Sequence, residues 1–285
     1  MRLCRFGENR LGLVENSGIR DVTQALDVLP VFRYPFPRFD VMVANLDRVR
    51  ARVQEVAAGS PTHAREGLRL LSPIANPSKI IGAPVNYQKH LDEARSDAEL
   101  HHNNQIAAIH RAGLFLKASS SLVGPGEGIA LRKLDRRNDH EVELAVVIGR
   151  TASNVAAKHA LDYVAGYGIG LDITIRGPEE RCLRKSVDSY SVFGPWLVTA
   201  DEIEDPNSLD LSIEVNGKTR QSSNTRHMIL DVGELIEFAS AFYTLNPGDV
   251  IMTGTPEGVG PIVPGDKILA SIERIGSMQV EVRAA

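Results

Sequence analysis

Cysteine is scarce: Cys4 and Cys182 are the two in 285 residues, far apart and without CxxC partners. That excludes a disulfide framework or a thiolate zinc site, and both thiols read as small buried hydrophobes in a reducing compartment. An excess of one charge is missing as well. The 36 acidic and 32 basic side chains leave a formal charge of −4, and the basic residues are scattered, so no footprint for a nucleic acid backbone exists. No apolar run approaches the ~20 residues of a bilayer span, and MRLCRFGENR turns polar at once. The expectation is a cytoplasmic protein that binds neither membrane nor nucleic acid. Also lacking are the GKS or GKT ending of a phosphate loop, a GxSxG elbow, an HExxH helix and a Ser, His, Asp set.

What is present is mostly strand-like. RLCRFG, LGLVEN and GIRDVT, broken by turn residues, predict a small antiparallel meander, followed by a helix from Phe39 to about Ala58 that Gly59, Ser60 and Pro61 end. The two prolines of SPIANPSK mark the best boundary, so residues 1–75 are read as a small N-terminal α+β domain and 76–285 as a larger second domain. Beyond the boundary IALRKL, EVELAVVIG, GYGIGLDIT, GPWLVTA, DLSIEVNG, DVIMTG, ILASI and MQVEV read as strands. VAAKHALDYVAG and VGELIEFASAF read as the clearest helices. The helices do not alternate regularly with strands, which argues for a mixed, mostly β (α+β) architecture over a doubly wound parallel sheet. The polar segment Ala94 to Gly113 reads as a mobile loop or lid.

The run DHEVELAVVIG, Asp139 to Gly149, carries the sharpest chemistry. On a strand, residues i and i+2 share a face, so Glu141 and Glu143 project together from an otherwise apolar strand. Such a pair is costly unless a cation or proton compensates it. Asp172 follows the apolar, Gly-rich stretch Tyr167 to Leu171, and Thr174 and Arg176 share its face if the strand continues. Three converging carboxylates would suit a hard divalent ion, Mg²⁺, Mn²⁺ or Ca²⁺, with positions left for water and substrate.

In VNYQKHLDEA, His90 and Glu93 stand at i and i+3 on a short helix with Asn86 as its expected N-cap. The carboxylate can there orient the imidazole as a general base. Gly166, Gly168 and Gly170 mimic a dinucleotide fingerprint, but no helix follows to hold a pyrophosphate. The glycines and Thr255 of GTPEGVG could offer N–H groups and a hydroxyl to a carboxylate.

The order NYQKHLDEA, LFLKASSSLVGPGE, DHEVELAVVIGR, VAGYGIGLDITIRG, RKSVDSYSVFGPWLVTADEI, LNPGDVIMTGTPEGVG resembles the fumarylacetoacetate hydrolase family over about three quarters of the chain, and within it an acylpyruvate hydrolase. The resemblance implies a β-sandwich roll catalytic domain, a homodimer, and a Mg²⁺ or Mn²⁺ site on Glu141, Glu143 and Asp172, with Ca²⁺ possible in crystals. It makes His90 and Glu93 the water-activating pair on a segment that orders with substrate. Lys185 becomes a catalytic contact, and Lys117, Arg176, Gly254 and Thr255 substrate-binding residues. The implied reaction is hydrolysis of a carbon–carbon bond in a 2,4-dioxo acid, an acylpyruvate or fumarylacetoacetate-like compound of aromatic or sugar catabolism, through a metal-stabilised enolate. The same site would also serve a decarboxylase or isomerase of an oxaloacetate-like or 2-hydroxydienoate acid. A non-catalytic binding module would leave turnover indifferent to His90, and a dinucleotide enzyme would show NAD-dependent absorbance changes. One departure bears on the substrate: after DITIR stand Gly177, Pro178 and Glu179, where many relatives have Asp and then a Gln that contacts it. His101, His102 and His110 in the long segment after Glu93 are expected in solvent.

Overall fold

Every residue of the strand Val142–Ile148 is buried, because its two faces meet different layers. Val142, Leu144, Val146 and Ile148 enter the main core, whereas Ala145 and Val147 pack with Phe193, Leu197, Val250 and Met252. A strand covered on both faces reads as a continuous apolar run, as VELAVVI does.

The computed structural model describes residues 1–102 and 105–285. Among them, a long mixed sheet runs in the order Thr62–His63, Gly18–Asp21, Arg10–Glu15, Arg2–Phe6, Ser191–Thr199, Val164–Asp172, Val142–Ile148, Val250–Met252, Ile80–Gly82 and Phe115–Lys117. A five-stranded sheet, Lys218–Asn224, Asp210–Val215, Lys267–Ile272, Gly276–Ala284 and Ile129–Leu131, turns Ile213, Ile268, Ala270 and Val280 into the same core as Leu144 and Val146. This is sheet-on-sheet packing, with interdigitating inner faces. A short ribbon of Thr174–Ile175, Asn138–His140 and Gly260–Pro261 continues two of the central strands toward the site. The architecture is the mixed, mostly β one expected. No helix of the described residues is long and apolar enough to cross a membrane.

The N-terminal meander forms as expected, and Arg2–Phe6 pairs with Ser191–Thr199, so these strands extend the central sheet. The helix after it is two pieces, Val41–Ala44 and Leu46–Val56. Asp40 caps the first by accepting from Val43 N at 3.0 Å, and Val49 and Val53 of the second bury against Leu3, Leu11 and Val22. Val232–Phe242 is helical as expected, opened by a capping box of Asp231 and Glu234. The expected helix VAAKHALDYVAG shrinks to one α turn, Ala157–Ala160, and a 3₁₀ turn, since Val164 already pairs with Ile148 in the sheet. Strand pairing wins there over helical spacing.

Two further expectations need correction. Cys4 is buried, but Cys182 is exposed, because on the single turn Arg181–Lys185 the inward position belongs to Lys185. Asn86 does not cap the helix Gln88–Ser96, which starts from an extended Tyr87 with no side-chain cap. Its amide instead donates to Leu230 O and Thr253 O at 2.9 and 2.8 Å, and its oxygen accepts from Leu230 N, stitching three loops together. The GxGxG pattern has a packing cause: a Cβ on Gly168 would lie 2.4 Å from the Phe193 ring.

Candidate active site

Register brings the acids together. Val142 pairs with Leu171 and Glu143 with Gly170, so the next step puts Asp172 across from Glu141, whose carbonyl accepts from Asp172 N at 3.0 Å. One oxygen from each of Glu141, Glu143 and Asp172 lies within 4.8 Å of the others, and all three residues are buried. Cations surround them. Lys185 Nζ donates to Glu141 Oε2, Asp172 Oδ2 and Thr174 Oγ1, each at 2.6 Å. Lys117, buried behind Asp172, donates to that carboxylate and to Tyr190 O at 2.8 Å. Arg176 bridges Asp139 and Glu141, each at 2.8 Å.

The charges are not evenly compensated. Burial raises the pKa of Glu141, but Lys185 and then Arg176 outweigh it and hold the carboxyl well below its usual range. Burial pushes Glu143 the other way, well above that range, and the charges of Asp172 and Glu141 add to the rise against Lys185. Glu143 accepts one hydrogen bond, from Gly254 N at 2.8 Å. Gly254 holds a left-handed φ of +96° and abuts Asn86, whose Cβ would lie 2.6 Å from any Cβ added there, so only glycine delivers this N–H. An undercompensated buried acid beside two others, with oxygen donors alone, fits a hard divalent cation such as Mg²⁺ or Mn²⁺.

The helix Gln88–Ser96 turns His90, Leu91 and Ala94 inward. His90 Nδ1 lies 2.8 Å from Glu93 Oε2, and Glu93 Oε1 accepts from Gly258 N at 3.0 Å, which ties the helix to the loop after Thr255. With the proton on Nδ1 facing the carboxylate, Nε2 is left as the acceptor. Val85, just before the helix, sits at φ +45°, a strained conformation for a β-branched residue at the cleft wall.

His90, Glu141, Glu143, Asp172, Arg176, Lys185 and Thr255 all line one cleft, walled on its apolar side by Ala94, Leu100, Ile106 and Phe115. Of the expected substrate contacts, Lys117 faces Asp172 and not the cleft, and the anion held by Gly254 N–H is the protein's own Glu143. Thr255 Oγ1 donates to Val142 O at 2.9 Å and accepts from Gln221 Nε2 at 2.8 Å. Within the segment 94–113 the structure has two short helices, Ala98–His101 and Ile109–Ala112, in place of a plain loop. His110 is exposed as expected, and His102 is half-buried. Asn103, Asn104 and the side chain of His101 lie outside the described residues.

Residues 79–283 match the model of the fumarylacetoacetate (FAA) hydrolase C-terminal domain. The chain belongs to the fumarylacetoacetate hydrolase family. A maleylpyruvate hydrolase of Aquipseudomonas alcaligenes is 56% identical to this family member over the whole of both chains. An oxaloacetate tautomerase of Rattus norvegicus is 36% identical over 78% of this chain and 71% of its own. The crystal structure of a maleylpyruvate hydrolase from Sphingobium sp. SYK-6, in complex with manganese(II) ion and pyruvate, superposes with a TM-score of 0.84 at 38% identity, covering 100% of both chains.

Several residues of the family member's site escaped sequence reasoning. Asp139 is fully buried between Arg137 and Arg176, and its two-residue spacing from Glu141 was the available signal. Gln221 bridges the strand Val142–Ile148 and the Thr255 loop: its oxygen accepts from Val142 N at 3.1 Å and its amide donates to Thr255 Oγ1 and Pro256 O. No local pattern marks it. Arg181 and Arg184 also face the cleft. Glu179, the acid at the family's glutamine position, is turned away: it takes a bidentate fork from Arg136, at 2.9 and 2.8 Å, which pulls its carboxyl down to about 2.

Proposed function

We propose that this chain is a divalent-metal-dependent hydrolase of acylpyruvates, splitting a 2,4-dioxo acid and one water into pyruvate and a carboxylic acid. The observation that carries the reading is the buried Glu141, Glu143, Asp172 cluster sharing one cleft with the His90–Glu93 pair. Glu141, Glu143 and Asp172 would hold Mg²⁺ or Mn²⁺, which would supply Lewis acidity toward the 2-oxo acid end of the substrate. His90 Nε2 takes a proton from water as the water adds to the distal carbonyl, and Glu93 stabilises the resulting imidazolium. The bond between C3 and C4 then breaks, its electron pair passing to the pyruvate fragment as an enolate. His90 returns its proton as that fragment becomes pyruvate. Lys185, held by three oxygen acceptors, supplies fixed positive charge beside the developing enolate, and Arg176 keeps Glu141 ionised and aligned.

The proposed site residues all fall within 76–285, so the chemistry is assigned to that unit. We place the enzyme in the cytoplasm, in keeping with two unpaired cysteines, and as a homodimer, for which the exposed Val31, Tyr34 and Phe36 offer an apolar surface. The test is pyruvate release from a panel of acylpyruvates with Mg²⁺ or Mn²⁺ and with chelator. Full activity in chelator would remove the metal from the reading. Turnover indifferent to His90→Ala would favour an isomerase or decarboxylase at the same carboxylates, since neither consumes water.

A further inference from the structure

Three arginines line the cleft, and their partners differ. Arg176 is matched by Asp139 and Glu141. Arg184 donates to Glu179 O at 2.7 Å and Ile175 O at 3.0 Å, which pins it to backbone. Arg181 has no hydrogen-bond acceptor and no carboxylate in ion-pair contact among the described residues. Its guanidinium carbon stands 5.7 Å from the centre of the Phe115 ring, and the same ring lies 5.4 Å from Lys185 Nζ.

A half-buried guanidinium without an anion is a cost that a ligand can remove. The ion pairs point the same way. Asp139, Glu141 and Asp172 are engaged by Lys117, Arg137, Arg176 and Lys185, whereas Arg181 lines the cleft outside these pairs.

Resting on the acylpyruvate reading above, we propose that Arg181 binds a second carboxylate at the far end of the substrate, making dicarboxylic acylpyruvates the preferred class. The 2-oxo acid end sits at the carboxylate cluster and Lys185, the carbons between run along the apolar lining of Ala94, Leu100, Ile106 and Phe115, and the distal carboxylate reaches Arg181. A planar fork is also suited to grip a carboxylate with two hydrogen bonds, which an ammonium is not.

The experiment compares wild-type enzyme, Arg181→Met and Arg181→Lys, each with Mn²⁺, on maleylpyruvate and on acetylpyruvate, whose distal group is a methyl. Wild type should prefer the diacid. In Arg181→Met the ratio of kcat/KM for the diacid over acetylpyruvate should fall about thirtyfold, mostly through KM, as expected for loss of a charge-assisted contact. Arg181→Lys should recover part of that ratio. Equal losses on both substrates, or a ratio that stays at the wild-type value, would overturn the assignment. Should wild type release pyruvate from neither compound, the acylpyruvate reading itself falls, and the role of Arg181 with it.

Discussion

Glu141, Glu143 and Asp172 stand on neighbouring central strands or at their ends, where ladder register sets Asp172 across from Glu141 and two-residue spacing adds Glu143. His90, Arg181 and Lys185 stand on helices of nine and five residues that line the same cleft. The first group is positioned by backbone hydrogen bonds that no single side chain controls. The second is positioned by contacts such as Glu93 to Gly258 N and Lys185 to Thr174, which one substitution can undo. Where the backbone carries the geometry, mutation should change chemistry without moving the site; where side chains carry it, position and chemistry should fail together.

The largest effect should come from the strand group. Glu143→Gln or Asp172→Asn is expected to cut kcat/KM by at least about 10³-fold, since the divalent ion loses an anionic ligand. With saturating Mn²⁺, wild type should melt several degrees higher than with chelator, by mass action, whereas Glu143→Gln should shift little. A scan with and without Mn²⁺ reads this directly, and an equal Mn²⁺ shift in both proteins would break the comparison. Next come His90→Ala and Glu93→Gln, with kcat lower by about 10²–10⁴-fold for the first and less for the second, while the Mn²⁺-induced melting shift is retained. Loss of that shift would mean that the helix helps to build the metal site.

Gln221 ties the strand group to the Thr255 loop, whose Gly258 in turn holds Glu93, so Gln221→Leu sharpens the contrast. It leaves Val142 N–H and Pro256 O without their partner, which should lower unfolding free energy by about 1–3 kcal/mol in a denaturant titration and raise KM. A wild-type KM would place Gln221 in stability alone. The smallest effect belongs to Glu179→Gln. Because Arg136 already holds that acid away from the cleft, restoring the family's amide should change kcat/KM by less than about threefold. A large gain would show that the acid repels substrate after all.

Much of this was legible in the chain. Two-residue spacing placed Glu141 and Glu143 on one face, three-residue spacing joined His90 to Glu93, and both pairings appear in the structure. What stayed hidden has one cause, the long-range partner. Gln221 reads as one polar residue in an exposed-looking strand, yet it is 1% exposed, because the five-stranded sheet folds it onto the Thr255 loop. Cys182 and Asn86 were misplaced for the same reason: which side of a single turn faces inward, and which loop an amide meets, depend on segments far along the chain.

The sequence by itself determined the mostly β fold, the paired acids and the His90–Glu93 pair, since local periodicity and residue chemistry suffice for those. Tertiary structure alone decided that Asp172 lies across from Glu141, that Glu143 is the acid left short of compensation, and that Arg181 faces the cleft with no partner among the described residues. Each of those depends on strand register and on which charges are buried together, and burial is what turns a weak interaction in water into a decisive one.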